Sequence, residues 1–418
     1  MARGGAAKGQ AARKHRIRGQ STSDAQHKLA ATRKPDREDE EAEFNLASWG
    51  RGNAYQLGNG EPRDRVSPMT MLFTKCPILK LACGAQHTLM LLGPSFAPRL
   101  FAWGEGQNGQ LGVGKSSSMQ AMHPILVPAL ATTSNFVVKD IGAGGNSSFA
   151  LTSQLNQGRD SRLELLLWGD NAMEQLGLGK EFKGVEKIFS PTPLSMNWDT
   201  TEMQWRKLYI QKAVMGRKFG LAIDTYGRLY AWGDNSHGQL GLGDKASRNT
   251  PVCVETLPNV RHVAVGLQHS AAIDSRRQLW TWGDCDDGRL GHGTLYTEER
   301  LVQGDLITRI RKRVDQLLEP KCVEFFRHKQ VSLVACGDRF TAALDARGMP
   351  WTWGSGIYGQ LGAGSLMSTE LPVRISSTSF VRGSFPQEQL KDAPVVLVNG
   401  ILSIDPCTIC FVLHQTPA

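Results

Sequence analysis

Six times the chain repeats a twelve-residue kernel, W-G-x5-[QR]-L-G-x-G, and no other feature narrows its possible folds as much. The copies begin at Trp49, Trp103, Trp168, Trp232, Trp282 and Trp353, spaced 50 to 71 residues apart. The fourth copy, Trp232-Gly-Asp-Asn-Ser-His-Gly-Gln-Leu-Gly-Leu-Gly243, is the most regular, and the fifth alone replaces Gln with Arg, at Arg289. A period of this length marks a repeat architecture, in which each unit buries its apolar face only against its neighbours.

The residues around the kernel set the type of unit. Short apolar runs lead into the tryptophans, among them Leu100-Phe-Ala102, Leu165-Leu-Leu167 and Leu229-Tyr-Ala231. They read as strands, each ending in a large indole anchor for a neighbouring unit. The glycines after Trp and in L-G-x-G suit tight turns at positive φ. A further strand passes a G-x-x-H-like turn, as in Leu81-Ala-Cys-Gly-Ala-Gln-His-Thr-Leu89 and Val263-Ala-Val-Gly-Leu-Gln-His-Ser-Ala271. The units are therefore all-β.

The repeat breaks in complementary places at its two ends. The last unit stops after Cys407-Thr-Ile-Cys-Phe-Val-Leu413, before any further W-G, while Phe44-Asn-Leu-Ala-Ser-Trp-Gly50 opens the array without a preceding strand. Strands from both ends are expected to share one blade and close a six-unit ring, which would leave no open sheet edge. Cys407 and Cys410 have C-x-x-C spacing, but no second pair stands at zinc spacing, so they read as core.

Outside the array, residues 1–43 are expected to be a disordered tail, basic then acidic. Met1 to Ser23 carries Arg3, Lys8, Arg13, Lys14, Arg16 and Arg18 without an acid, and Asp36 to Glu43 then reverses the sign. Arg13, Lys14, Arg16 and Arg18 are candidate nucleic-acid contacts or a nuclear signal; a solubilising tail and a mitochondrial presequence are the alternatives. Formal charge is +9 over 418 residues, which favours acidic partners in general. No secretory or membrane-length apolar run opens the chain, and its 8 cysteines are scattered, so reduced thiols and an intracellular setting are expected.

Two local patterns invite chemistry. Gly109-Gln-Leu-Gly-Val-Gly-Lys-Ser116 matches a phosphate loop, but such a loop must open a helix, and Pro124 follows too soon. The match is an accident of the repeat. In the insertion near residues 294–330, Ile307, Ile310, Val314 and Leu317 recur at helical spacing beside Arg309, Arg311, Lys312 and Arg313. A basic amphipathic helix is predicted there, and these four cations are further nucleic-acid candidates. No nucleophile–base or carboxylate pair suggests catalysis, and no cofactor or metal is implied. His87 and His269 recur at equivalent repeat positions, which favours a turn-stabilising role.

The kernel, a following Pro segment (Pro68, Pro124, Pro191, Pro251, Pro372) and the G-x-x-H-T-like strand together resemble the regulator of chromosome condensation family over residues 44–413. The resemblance implies a β-propeller of four-stranded blades, usually seven where six are counted here. It also implies possible roles. The founding member, of similar length and with a basic tail, is a nucleotide-exchange factor for the Ran GTPase and sits on chromatin. Other members are ubiquitin-ligase modules, ciliary scaffolds, mitochondrial ribosome factors and a plant ultraviolet-B receptor. The receptor's G-W-R-H-T cluster is absent, and the exchange factor's hairpin wedge has no clear counterpart. At family positions for GTPase contact stand Asp338, His87 and His269, with Ser148, Phe219 and Phe340 where His would stand in other copies. The expectation is a monomeric, non-membrane guanine-nucleotide exchange factor for a Ran-like GTPase that also binds chromatin or nucleic acid in the nucleus. The alternative is a non-catalytic protein- or RNA-binding scaffold, for example a ribosome-associated or mitochondrial factor.

Overall fold

The computed structural model describes residues 44–375 except 75, 94–98, 116–118, 132–135, 155–162, 195–196, 200–203, 207, 258 and 304–305. The expectations for Arg13, Lys14, Arg16 and Arg18 and for the closing strand at 407–413 lie outside the described residues.

Each kernel sits in its own antiparallel sheet, so the six sheets are numbered here by kernel. Blade one is a pair, β1 (Phe44–Gly50) and β2 (Arg65–Thr74). Blade two is β3 (Ile78–Cys83), β4 (His87–Leu92), β5 (Arg99–Glu105) and β6 (Gln120–Leu126). Blade three is β7 (Phe136–Gly144), β8 (Ser147–Gln154), β9 (Glu164–Asp170) and β10 (Lys187–Pro193), followed by a small hairpin of β11 (Asn197–Asp199) and β12 (Gln204–Arg206). Blade four is β13 (Ile210–Met215), β14 (Phe219–Asp224), β15 (Leu229–Gly233) and β16 (Arg248–Cys253). Blade five begins with β17 (Val260–Val265), β18 (His269–Asp274) and β19 (Leu279–Asp284). A hairpin of β20 (Tyr296–Gln303) and β21 (Leu306–Arg313) then intervenes before its fourth strand, β22 (Gln316–Cys322). Blade six is β23 (Val331–Cys336), β24 (Phe340–Asp345), β25 (Pro350–Gly354) and β26 (Thr369–Arg374). Among the described residues, five sheets are complete four-stranded meanders and blade one has two strands.

What joins one blade to the next is the kernel itself. From the second copy on, each kernel indole donates to the main-chain carbonyl of the preceding kernel's Gln or Arg. Trp103 donates to Gln56, Trp168 to Gln110, Trp232 to Gln175, Trp282 to Gln239 and Trp353 to Arg289, each at 2.9 Å. The indole thus gains an apolar pocket and a satisfied N–H at once, as a buried Trp requires. The preceding kernel's glycine makes room for it: Gly241 sits at φ +73°, and a Cβ there would lie 2.7 Å from Trp282 Nε1. The kernel Gln has a second duty. Its Oε1 accepts the backbone N–H two residues earlier, of Ala54, Asn108, Met173, His237 and Tyr358, at 2.8 Å each. In the fifth copy the buried Arg289 instead binds the Asp286 carbonyl at 2.8 Å and lies 2.8 Å from Asp284 and 3.3 Å from Asp287.

The insertion differs from its expectation. Residues 306–313 form a strand, not a helix, paired without a break from Tyr296↔Arg313 to Gln303↔Leu306. The apolar spacing fitted a helical period, but Ile307, Thr308 and Ile310 are β-branched, and Tyr296–Gln303 supplies a partner of equal length. The intervening Gly304-Asp305 is a two-residue hairpin signal. The insertion is therefore a β-hairpin.

Candidate functional site

In each meander the G-x-x-H turn and the kernel loop lie at the same end of the strands, because one joins the first two strands and the other leaves the third. At that end turns of successive blades touch. Ala85 N–H donates to Gly145 O at 2.8 Å, and Leu267 N–H donates to Asp338 O at 3.2 Å. The turn glycines permit this approach, since a Cβ on Gly144 would lie 2.1 Å from Met215 O. A cavity of about 510 Å³ opens among these turns, lined by Arg51, Asp170, Arg217, Lys218, Leu267 and Asp338 among others. Asp338 is half-buried there, while Arg51, Arg217 and Lys218 are exposed. A second cavity of about 310 Å³ shares Arg217 and Lys218 and adds Asp234 and His237. His237 is held by Ser236 Oγ at 2.9 Å on Nδ1 and by Gln268 Nε2 at 3.1 Å on Nε2.

Of the three expected GTPase contacts, only Asp338 reaches the cavity. His87 and His269 are both 0% exposed, so in this structure neither ring can meet a docking partner. They clip blades together. The Ser148 hydroxyl donates to Gln110 O at 2.8 Å, so its oxygen accepts from His87 Nε2–H at 2.8 Å. In the same way the Thr341 hydroxyl donates to Arg289 O at 2.8 Å and accepts from His269 Nε2–H at 3.0 Å. This fixes the tautomer and leaves each buried Nδ1 without a partner. Burial pushes both imidazoles down to about 3, and for His269 the Arg289 charge adds to it. The turn glycine is required too: a Cβ on Gly84 would lie 2.0 Å from His87 Cε1, and one on Gly337 would lie 2.0 Å from Phe340 Cε1.

The register also corrects one alignment. His87, Phe219, His269 and Phe340 each pair with the glycine after a kernel Trp, and Ser147 is the residue that pairs with Gly169. Ser147, not Ser148, therefore takes the His position in blade three. Sequence reading also missed Arg217, Lys218 and His237, whose only signal was their place at variable positions inside the repeated turns.

The β20–β21 hairpin rises from the same end, since it leaves β19 with the kernel loop and returns to β22. Its base is fastened by Cys285 N–H to Asp315 O and Val314 N–H to Leu295 O, both at 2.9 Å. Arg313 lies 3.6 Å from Glu370 on blade six. Arg311, Lys312 and Arg313 are exposed, and the β21 backbone places Arg309 opposite Arg300. No group of three or more His, Cys, Asp or Glu side chains that could hold a metal occurs among the described residues. None of their helices is long and apolar enough to cross a membrane.

Repeated Trp-anchored blades with clipped G-x-x-H turns define a multi-bladed repeat protein of the RCC1 type. The RCC1-like domain model matches residues 41–300, and the regulator of chromosome condensation (RCC1) repeat matches 278–344 and 348–385. The chain belongs to the RCC1 repeat family. It is 29% identical to the Arabidopsis thaliana ultraviolet-B receptor UVR8 over 79% of this chain and 65% of that protein. It is 28% identical to the mitochondrial RCC1 domain-containing protein RUG3 of the same plant over 82% and 73%. Against the human ubiquitin ligase HERC2 it is 31% identical over 66% of this chain but spans only 5% of that protein. Prp20p of Saccharomyces cerevisiae, described with its binding to Gsp1p and histones, shares the fold at TM-score 0.52 and 19% identity, over 90% of this chain and 92% of that one.

Proposed function

We propose that this protein is a guanine-nucleotide exchange factor for a Ran-like small GTPase, working by differential binding and without a chemical step of its own. The observation that carries the reading is the end of the strands where the kernel loops and G-x-x-H turns meet. The half-buried Asp338 lines the cavity at that end, and the basic β20–β21 hairpin leaves blade five from the same end. A carboxylate set among turns can compete for a lysine or amide cluster that otherwise holds phosphate, and a hairpin supplies a rigid element to insert. A surface that grips the GTPase more tightly empty than loaded shifts it toward release. Likeness to a Gsp1p-binding protein supports the class of partner, and the basic tail supports chromatin or nucleic acid as a second partner in the nucleus. The direct test is to measure affinity for one GTPase nucleotide-free and GDP-loaded. The reading requires a difference of at least about a hundredfold, or about 2.7 kcal/mol; equal affinities would refute it.

The ring in this reading has six blades and closes at blade one. β1 carries Trp49 and β2 carries Pro68, as β5 carries Trp103 and β6 carries Pro124, so among the described residues blade one consists of its third and fourth strands. Residues 376–418, with Val395-Val-Leu-Val and Cys407-Thr-Ile-Cys-Phe-Val-Leu413, are the source proposed for its first two. A second reading, a scaffold on a nucleoprotein in the mitochondrion, is favoured by the similarity to RUG3 along most of both chains.

A further inference from the structure

The β20–β21 hairpin has two unlike faces. Residues directly opposite in an antiparallel pair share a face, and the face alternates along each strand. The unbroken register therefore places Glu298, Arg300, Arg309, Arg311 and Arg313 on one face. Glu299, Leu301, Leu306, Ile310 and Lys312 fall on the other. One face thus carries four arginines against a single acid, while on the other one acid and one lysine balance. Charge that served only to keep the hairpin in water would be shared between the faces.

The segregation works against the hairpin's own stability. Arg300 and Arg309 stand directly opposite each other, and like charges so placed weaken the pairing that holds them. Arg311 follows Arg309 two residues on, about 7 Å further along the strand. Arg313, at the base, reaches Glu370 only at 3.6 Å and remains exposed. Glu298 and Arg311 on this face and Thr297 and Lys312 on the other are exposed as well, so neither face of the stem is buried. The base, by contrast, is fixed to blade six. Gly293 N–H donates to Glu370 O at 3.0 Å, Thr294 Oγ1 donates to the Glu370 carboxylate, and Arg339 lies 3.8 Å from Asp287.

We propose that this arginine face lies in the major groove of duplex DNA. An arginine ladder that weakens its own hairpin is offset when anions come between the guanidinium groups. Shape then selects among polyanions. Two strands stand about 4.8 Å apart, and the major groove of B-DNA, about 12 Å wide, admits such a ribbon. The eight residue pairs extend about 27 Å, enough to follow the groove for several base pairs. The cations of this face are arginines without a lysine, and the guanidinium fork matches both phosphate oxygens and the N7/O6 edge of guanine. The deep, narrow major groove of A-form RNA is closed to a ribbon of this kind. The site stands independently of the exchange reading.

The experiment measures binding of the full-length chain to a short fluorescent DNA duplex by anisotropy over a salt series. Dimethyl sulfate probes guanine N7, in the major groove, on the same complex. The comparison is an Arg300→Gln/Arg309→Gln/Arg311→Gln variant with an unchanged melting temperature; the basic arm is common to both proteins and cancels. Three lost contacts should lower the slope of log K against log salt by about 2–3 and weaken binding at least about tenfold. Guanine N7 should be protected by the parent and left open by the variant. Glu299→Gln/Lys312→Gln, on the other face, should keep both the protection and the affinity. Parent-like affinity and slope in the arginine variant would overturn the proposal, as would unprotected guanine N7 in the parent complex. An equal loss on an RNA duplex of the same sequence would overturn the groove assignment. So would equal displacement by poly-glutamate, which would assign the face to an acidic protein segment.

Discussion

Two neutral histidines sealed between blades make the fold sensitive to acid, and the size of the effect follows from where they sit. In the unfolded chain each imidazole titrates near 6.5, whereas burial drives it to about 3 in the folded one. Folding therefore favours the neutral rings. Their stabilisation is complete above the unfolded value and is lost as pH falls from about 6.5 towards about 3. Within that window each histidine lowers stability by about 1.4 kcal/mol per pH unit. Between about pH 6 and pH 4.5 the pair together accounts for about 4 kcal/mol, a large share of the 5–15 kcal/mol typical of a domain. The perturbation is His87→Phe with His269→Phe, since Phe219 and Phe340 hold the same position in blades four and six. Urea unfolding at a series of pH values should show the double variant losing about 4 kcal/mol less than the parent over that interval. His292, which burial lowers to about 4, is common to both proteins and cancels in the difference. If parent and variant lose stability in parallel, the buried-histidine account is wrong.

Four further outcomes are expected. Gly241→Ala forces a side chain at φ +73° against Trp282 and should cost about 2–4 kcal/mol in denaturant unfolding; a cost below about 1 kcal/mol would show that the indole has room to move. Arg289→Ala leaves the buried Asp284 without its cation 2.8 Å away and should destabilise by about 3–5 kcal/mol, measured as a lower melting temperature. Deleting residues 44–50 removes β1 from blade one and should cause aggregation or loss of cooperative unfolding; a soluble, cooperatively folding product would contradict the closure proposed there. Removing residues 1–23, with Arg13, Lys14, Arg16 and Arg18 among six cations and no acid, should weaken duplex binding and lower its salt slope; unchanged binding would make the arm a signal or a solubilising tail.

The blades were legible because each kernel residue answers a geometric demand that recurs. Trp282 needs a carbonyl and Gly241 beside it, and a repeated motif makes such demands visible in one sequence. The hairpin was not legible as one, because Ile307, Ile310, Val314 and Leu317 satisfy a helical period, while the long-range pairing with Tyr296–Gln303 leaves no periodic trace. At the candidate site, repetition misled in a different way. His87 and His269 stood out by recurring, yet recurrence marked the clip between blades, and the cavity-lining groups Arg217, Lys218 and His237 occupy positions where the copies differ. The inward-facing residue of each turn is set by packing, so it repeats; the outward-facing ones are not, so they vary.

Release of fluorescent GDP from a Ran-like GTPase with this protein added at micromolar concentration decides whether it is an exchange factor, and clear acceleration is expected. Asp338→Ala, by removing a charge-assisted contact worth about 1.5–3 kcal/mol, should slow the stimulated rate by about 10- to 150-fold while leaving the melting temperature unchanged. No acceleration by the intact protein, or an Asp338→Ala variant as fast as the parent, would contradict the exchange reading.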